Sequence, residues 1–286
     1  MKKVLITGKD SYIGTSFEKY INDNYPGAFV IDTVDMTNEK WREKDFSKYD
    51  TIFHVAGIAH SDIGKVNDNV KQKYYKVNTC LAIETAKKAK EDGAKQFVFM
   101  SSIIVFGSKN KVITSSTLPA PDNFYGDSKL QADIELHKLQ SDEFNVVSVR
   151  PPMVYGKGCK GNYPKLVKIA KKMPFFPACN NERSMIYIDN LCEVIKLIIT
   201  DSSNGYFYPQ NKEYVNVTEL VKEVNPRIKL TKIFNPFIKR FNKTRIVKKV
   251  FGTMVYEKDM SSCFDFKYCI KDFKTSVKET GDFCEN

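Results

Sequence analysis

Val4-Leu5-Ile6-Thr7-Gly8-Lys9-Asp10-Ser11-Tyr12-Ile13-Gly14 runs from an apolar strand pattern through a turn into a helical pattern. That context is what a phosphate-cradling turn requires: Gly8 permits the tight turn, and Gly14 lets the following helix pack closely on a sheet. The helix start, Ser11-Tyr12-Ile13, offers unpaired N–H groups and partial positive charge to a pyrophosphate. Ser11 stands where a glycine is usual; it is small and can donate a hydrogen bond. Twenty-four residues after Gly8, Phe29-Val30-Ile31-Asp32 brings a carboxylate to a strand end, where it accepts from ribose hydroxyls and repels a 2′-phosphate. No Arg follows it, so the pattern favours NAD over NADP.

Working outward, apolar runs alternate with helix-period segments through the first 200 residues. That rhythm predicts an α/β fold, a Rossmann doubly wound parallel sheet with a smaller C-terminal substrate-binding lobe. The expected strands are Val4 to Thr7, Phe29 to Asp32, Thr51 to Val55, Phe97 to Met100, Val146 to Arg150 and Met185 to Ile188. Expected helices are Thr15 to Asn24, Val70 to Glu91, Phe124 to Leu139, Pro164 to Lys172 and Asn190 to Ile199, with Asp122 or Asn123 capping the third. Residues 1–155, with 184–200 returning, form the dinucleotide-binding domain. Residues 156–183 and 201–286 form the lobe.

Composition narrows the classes. Of 286 residues, 42% are apolar and 28% charged, ordinary globular values. No run approaches the roughly 20 apolar residues that span a bilayer, and Gly8, Lys9 and Asp10 cut the amino-terminal run too short for a signal peptide. The expectation is a cytoplasmic protein. Seven scattered cysteines without a Cys-x-x-Cys pair, and three histidines (His54, His60, His137), argue for free thiols and against a metal site. The net charge of +11 comes from 39 Lys and only 6 Arg, which reads as a solvated surface and not as nucleic-acid recognition.

Tyr125 and Lys129 form a Tyr-x-x-x-Lys pair on one helix face. A tyrosine with a pKa near 10 is a poor acid or base at neutrality, and a close ammonium in a desolvated site lowers it. The spacing alone is weak, since about two such pairs arise by chance at this composition, and Tyr208 with Lys212 is a second. Chain order separates them: the strand Phe97 to Met100 delivers Ser101-Ser102 at its carboxyl end, and Tyr125 opens the next helix.

With these residues in place, the sequence resembles the extended short-chain dehydrogenase/reductase family, in its nucleotide-sugar branch. The likeness runs through Thr7 to Gly14, Asp32, His54-Val55-Ala56-Gly57, Asn78, Ser101 to Gly107, Tyr125 to Lys129, Arg150 to Gly158 and Arg183 to Asp189, about two thirds of the chain. The resemblance implies a catalytic triad of Tyr125, Lys129 and Ser102. It also implies that Val55, Ala56, Gly57 and Asn78 line the cofactor and that backbone near Pro151 and Pro152 receives the nicotinamide amide. Within the family, Arg150 to Gly156, Gly161-Asn162-Tyr163 and Asn181 to Ile188 are similar to capsule-pathway reductases of UDP-4-keto-6-deoxy-N-acetylhexosamines. UDP-glucose/galactose 4-epimerases share the triad and Arg183 but are usually longer at the carboxyl end. Sugar 4,6-dehydratases place an acidic pair after the catalytic serine or threonine, where this chain has Ile103 and Ile104.

The expected enzyme therefore reduces the C4 ketone of a UDP-sugar, with a 4-epimerase as the alternative and a non-catalytic dinucleotide sensor as a rival that usually lacks the Tyr and Lys retained here. Arg183, helped by Asn162 and Lys165, is the candidate for the substrate diphosphate. A homodimer through Val70 to Glu91 and Phe124 to Leu139 is expected from the family. Residues 227–249 hold nine basic side chains and no acidic one among apolar residues. Such a segment can rest on an anionic membrane, but the favoured reading is a lobe helix with its apolar face in the core and its lysines solvated.

Overall fold

Period-two alternation in β1 (Lys2–Thr7) sends Val4 and Ile6 to one face of a sheet and Leu5 to the other, and all three are buried. Burial on both faces marks a strand inside a parallel sheet covered by helices. The computed structural model describes residues 1–59, 67–241, 244, 247 and 250–281, with the backbone alone at 238 and 239. After β1 come α1 (Tyr12–Asn24), β2 (Phe29–Val34), β3 (Thr51–His54), α2 (Asp68–Tyr74), α3 (Leu81–Glu91), β4 (Gln96–Met100), β5 (Val112–Ile113), α4 (Phe124–His137) and β6 (Asn145–Val149). The chain continues through β7 (Met153–Tyr155), α5 (Asn162–Lys172), β8 (Phe175–Pro177), β9 (Met185–Tyr187), α6 (Ile188–Thr200) and β10 (Gly205–Phe207). Then follow α7 (Val217–Val224), β11 (Lys229–Thr231), α8 (Asn235–Arg240), β12 (Val255–Tyr256) and a final helix, Phe273–Thr280.

Six strands form one parallel sheet in the order β2-β1-β3-β4-β6-β10, the doubly wound, Rossmann-like arrangement expected. The chain turns outward from β1 to β2 and then crosses to β3 on the other side, so a crevice opens at the carboxyl ends of β1 and β3. Helices α1 and α6 cover one face through Phe17, Ile21, Ile195 and Ile198. On the other face α3 and α4 lie close because Ala82, Ala86, Ala89 and Ala132 meet the sheet.

Several elements differ from expectation. The strand Met185 to Ile188 is not in the sheet: β9 pairs with β7. The sixth strand is β10, which lies within the 201–286 stretch assigned to the lobe and hydrogen-bonds to Val147–Val149. The helix expected over Val70 to Glu91 is interrupted by a π-helical turn at Tyr75–Cys80. Helix α1 begins at Tyr12 because Ser11 caps it, and β2 runs past Asp32 to Val34. In the lobe, α5, α7 and the β8–β11 pair enclose Ala170, Phe176, Val217, Val221 and Ile228. Among the described residues no helix is long and apolar enough to cross a membrane, no cluster of metal-ligating side chains occurs, and the six described cysteines are free. His60 and Cys284 lie outside the described residues.

One buried ion pair seats α4 on the sheet. Asp133 Oδ2 accepts from Ser101 Oγ at the end of β4 and from Arg150 Nε just past β6, each at 2.9 Å. The Arg150 guanidinium also lies 4.2 Å over the Tyr206 ring. Asp133→Ala leaves that cation buried and uncompensated, so a loss of about 3–5 kcal/mol is expected. Urea denaturation measures it, and a change within about 0.5 kcal/mol, the range of a neutral surface substitution, would remove the anchoring role.

Candidate active site

Tyr125, Lys129 and Asp133 stand four residues apart and share one face of α4. Asn123 is the residue that caps this helix, its Oδ1 accepting from Gly126 N at 2.9 Å. Gly126 is required by contact: a Cβ there would come within 2.8 Å of Ile104 O and 3.0 Å of Pro121 Cβ. The first turn of α4 therefore lies against the 3-10 turn Ile103–Phe106 that follows β4. Ser102 caps that turn, accepting from Ile104 N at 3.3 Å, and its hydroxyl is the neighbour that lowers the proton affinity of Tyr125. Ile103 N donates to Pro151 O at 2.9 Å, tying the serine turn to buried Pro151 and Pro152 beyond β6.

Lys129 is buried beneath this pair. Its Nζ donates to Met100 O at 2.8 Å and lies 4.5 Å from the Phe99 ring centre. A Cβ on Gly57 would sit 3.2 Å from that Nζ and 3.1 Å from Asn78 Oδ1, so the Ala56-Gly57 loop crosses directly over the ammonium. Asn78, in the π turn, spends its amide on Ile58 N (2.8 Å), Ile58 O and Ser128 Oγ (both 3.1 Å). It holds that loop through both backbone groups of Ile58. His54 Nδ1 bonds Thr7 Oγ1 at 2.7 Å, and burial pushes its pKa down to about 3, so the imidazole is neutral.

Burial likewise pushes Lys129 down to about 8, with Asp133 acting in the opposite sense. It pushes Tyr125 up to about 12, against the lowering influence of the Ser102 hydroxyl and assisted by Tyr74. The phenol is thus raised where the sequence led us to expect a lowered one. Burial is the largest cause, and the Lys129 ammonium is spent on Met100 O.

The glycine turn fits a pyrophosphate. Gly8 has φ +111°, and a Cβ on it would meet Ala56 N at 2.8 Å. Val55 N and Ala56 N both donate to Thr7 O, holding the two strand ends together. A Cβ on Gly14 would meet Ser11 Oγ at 2.6 Å, Ile6 at 3.0 Å and Val55 at 3.1 Å. Ser11 turns its hydroxyl inward to accept from Gly14 N at 3.2 Å. Tyr12 and Ile13, in the first turn, keep N–H groups that have no partner within the helix.

Asp32 lies opposite Leu5, two residues short of the end of β2, and accepts from Tyr49 OH at 2.6 Å. The carboxylate just past the strand is Asp35, next to Val34, whose carbonyl accepts from Gly8 N and Lys9 N. Thr37 N (2.8 Å), Thr37 Oγ1 (2.7 Å) and Asn38 Nδ2 (3.1 Å) donate to it and hold its carboxyl below the usual range, with Lys9 adding to the effect. Sequence reasoning stopped at Asp32; the β-compatible Thr33-Val34 was the signal that the strand continues.

The lobe residues stand apart from α4. Arg183 is bridged through its backbone to Val215 and Met254, and its Nη1 donates to Gly252 O at 3.0 Å. Burial lowers its pKa from the usual guanidinium value. Asn162 and Lys165 are exposed on the first turn of α5. Tyr208, the other tyrosine with a lysine four residues on, packs on Phe106 and Tyr256 beside Arg150 and has no triad around it.

The sequence matches the model of the NAD dependent epimerase/dehydratase family over residues 4–210. A UDP-glucose 4-epimerase of Vibrio cholerae is 28% identical, over 88% of this chain and 86% of that protein. An N-acetyl-alpha-D-glucosaminyl-diphospho-ditrans,octacis-undecaprenol 4-epimerase of Escherichia coli O157:H7 is 25% identical, over 77% and 71%. Two solved structures share the fold. A dTDP-4-dehydrorhamnose reductase of Clostridium acetobutylicum has TM-score 0.71 at 19% identity, covering 97% of this chain and 98% of that one. A UDP-glucuronic acid 4-epimerase of Bacillus cereus in complex with NAD has TM-score 0.72 at 16% identity, covering 97% and 96%.

Burying the ammonium of Lys129 costs stability in a defined window. Its folded pKa, about 8, is below the unfolded 10.5, so the cost is full below pH 8 and is relieved as pH rises to 10.5. At about 1.4 kcal/mol per unit the cost is about 3 kcal/mol. Cofactor-free Lys129→Met is expected to be more stable than the parent at pH 7, with the gap closing between pH 8 and 10.5. Urea titrations at the two ends test this; a less stable variant at pH 7 would show that the ammonium is a net support.

Proposed function

The chain belongs to the NAD dependent epimerase/dehydratase family and is an NAD(P)-dependent enzyme, and on that premise we propose that it carries out redox chemistry at C4 of a UDP-linked hexose, with Tyr125 moving the proton. The observation that carries this reading is the shared α4 face of Tyr125 and Lys129, its first turn set against the turn that Ser102 caps and the Lys129 ammonium lying under the Ala56-Gly57 loop. The bound dinucleotide supplies the hydride acceptor and donor. Gly8, Ser11, Tyr12, Ile13 and Gly14 form its pyrophosphate cradle, and Asp32 and Asp35 favour an unphosphorylated ribose. Val55, Ala56, Gly57, Pro151 and Pro152 line the remaining length, with Asn78 holding the loop.

Ser102 hydrogen-bonds the C4 oxygen and aims it. Tyr125 takes the C4 hydroxyl proton in one direction and returns it in the other. Lys129, charged below about pH 8, favours the phenolate that forms once water is excluded. Arg183 grips the diphosphate, assisted by Asn162 and Lys165 from the first turn of α5.

The overall reaction we favour is 4-epimerisation. The chain aligns along most of the Vibrio cholerae enzyme, so its carboxyl-terminal length no longer counts against that reaction. Net reduction of a UDP-4-keto-6-deoxy-N-acetylhexosamine in surface-polysaccharide synthesis is the second reading, favoured by the likeness of residues 150–156 and 181–188 to such reductases. Dehydration is disfavoured because Ile103 and Ile104 cannot move a proton.

Interconversion of UDP-glucose and UDP-galactose, or of their N-acetyl forms, without net change in nicotinamide absorbance supports epimerisation. Oxidation of NADH or NADPH on adding UDP-4-keto-6-deoxy-N-acetylglucosamine supports reduction, and silence in both assays overturns the proposal. Tyr125→Phe is expected to lower turnover at least 100-fold, the scale of a lost general acid–base, with NAD affinity within a few fold. Asp35→Ala is expected to weaken NAD binding about tenfold in calorimetry, the scale of a hydrogen bond to a charged group; unchanged affinity would leave Asp32 as the ribose ligand.

A further inference from the structure

Charge is segregated in this chain. Residues 157–181 carry six lysines and no acid, and residues 224–256 carry nine Lys or Arg and again no acid. These stretches hold 15 of the 45 basic side chains, leaving 30 basic against 34 acidic ones elsewhere, so the entire positive excess resides here. The fold joins their described parts: β8 pairs with β11, Phe175 opposite Lys229, and Phe176 and Ile228, the residue before β11, pack with α5 and α7. Beside this pair a shallow depression is lined by Lys172, Met173, Phe175, Arg227 and Lys229.

Past the carboxyl end of β11, Ile233 is 77% exposed, Phe237 65% and Phe241 51%, with Lys232 and Arg240 exposed among them. Asn235 Nδ2 donates to Ala178 O at 2.9 Å and holds α8 against the loop that follows β8. The expected lobe helix with its apolar face in the core is therefore not what these three side chains form. The remaining apolar positions of the segment at Ile238 and Ile246 lie outside the described side chains. Large apolar side chains gathered on an exposed, charged rim mark an interaction site.

We propose that this face docks on an anionic lipid bilayer, Ile233, Phe237 and Phe241 entering the headgroup boundary while the surrounding basic side chains rest among anionic headgroups. Charge complementarity selects the partner. A second copy of the chain would bring the same positive field and be repelled. Twelve of the fifteen basic residues are lysines, point charges suited to a diffuse anionic surface and poor in the planar forks that read nucleic acid. The docking does not depend on the proposed reaction.

Sedimentation of the full chain with vesicles of phosphatidylcholine alone, or with about one third phosphatidylglycerol, tests it. Binding is expected only to the anionic vesicles and is expected to fall steeply in about 0.5 M salt, where charges are screened within a few ångströms. Phe237→Ser with Phe241→Ser is expected to weaken that binding at least tenfold with melting temperature and turnover unchanged. Failure to pellet with anionic vesicles at low salt overturns the proposal. So does tighter binding to a single-stranded RNA than to vesicles, or a concentration-dependent dimer that the double variant abolishes.

Discussion

Asp133 and Arg150 meet where α4 and the ends of β4 and β6 converge, and burial makes their meeting obligatory. Neither ion is solvated there, so each must find the other, and α4 has one seat on the sheet instead of several. Such a pair is a poor source of net stability, because desolvation offsets much of the attraction. Its value here is position. Helical periodicity carries the constraint two turns toward the amino terminus, from Asp133 to Lys129 to Tyr125. The same carboxylate that receives Arg150 also supports the charge on Lys129, whose burial would otherwise depress it further. Fold and chemistry are thus coupled through one oxygen-rich point.

Around that seat, the crevice is shaped more by missing atoms than by present ones. Gly126 lets α4 touch the serine turn, Gly57 lets a loop pass over the ammonium, and Gly8 brings the first turn against Ala56. At Gly8 and Gly126 a methyl group would come within 2.8 Å of backbone atoms and move the chain, whereas at Gly57 it would press on the ends of Asn78 and Lys129 at 3.1 and 3.2 Å. Ser11 shows the complementary solution. With its hydroxyl folded into the helix start, it serves as a cap and leaves the two following N–H groups pointing outward.

The legible parts of the fold were those where burial writes itself into sequence. β1, β3, β4 and β6 are covered on both faces and read as mainly apolar runs with polar residues at their ends, β6 also carrying the buried Ser148. Met185-Ile186-Tyr187 looks the same for the same reason, but an apolar run reports burial and not pairing, and its partner is β7. β10 is a three-residue edge strand beginning at Gly205, too short and too exposed to show any period. Within the candidate site, the shared face of Tyr125 and Lys129 and the place of Ser102 after β4 were legible because helical spacing and chain order both constrain them. The Asp133–Arg150 pair joins residues 17 apart on α4 and just past β6, and no local pattern announces it. Asp35 was overlooked because Asp32 interrupts the apolar run, although the β-compatible Thr33-Val34 carries the strand past it. The proton affinity of Tyr125 was hidden because it is a balance between burial and neighbours, not a property of spacing.

Segregation of positive charge on the lobe admits a second physical reading: steering of an anionic nucleotide sugar toward Arg183, whose Nη1 reaches Gly252 at the end of the same acid-free stretch. Steering acts through the field and needs only charge within a Debye length or so of the crevice. It gives no role to Ile233, Phe237 and Phe241, whose exposure costs solubility without adding to the potential. Apolar side chains set among lysines are what a bilayer boundary rewards, since it offers an anionic layer and a hydrocarbon layer a few ångströms apart. The two roles are compatible: lysines near α5 can draw substrate in while the aromatic rim holds the surface. The aromatic residues, not the charge, are therefore the part of this face that distinguishes docking from attraction.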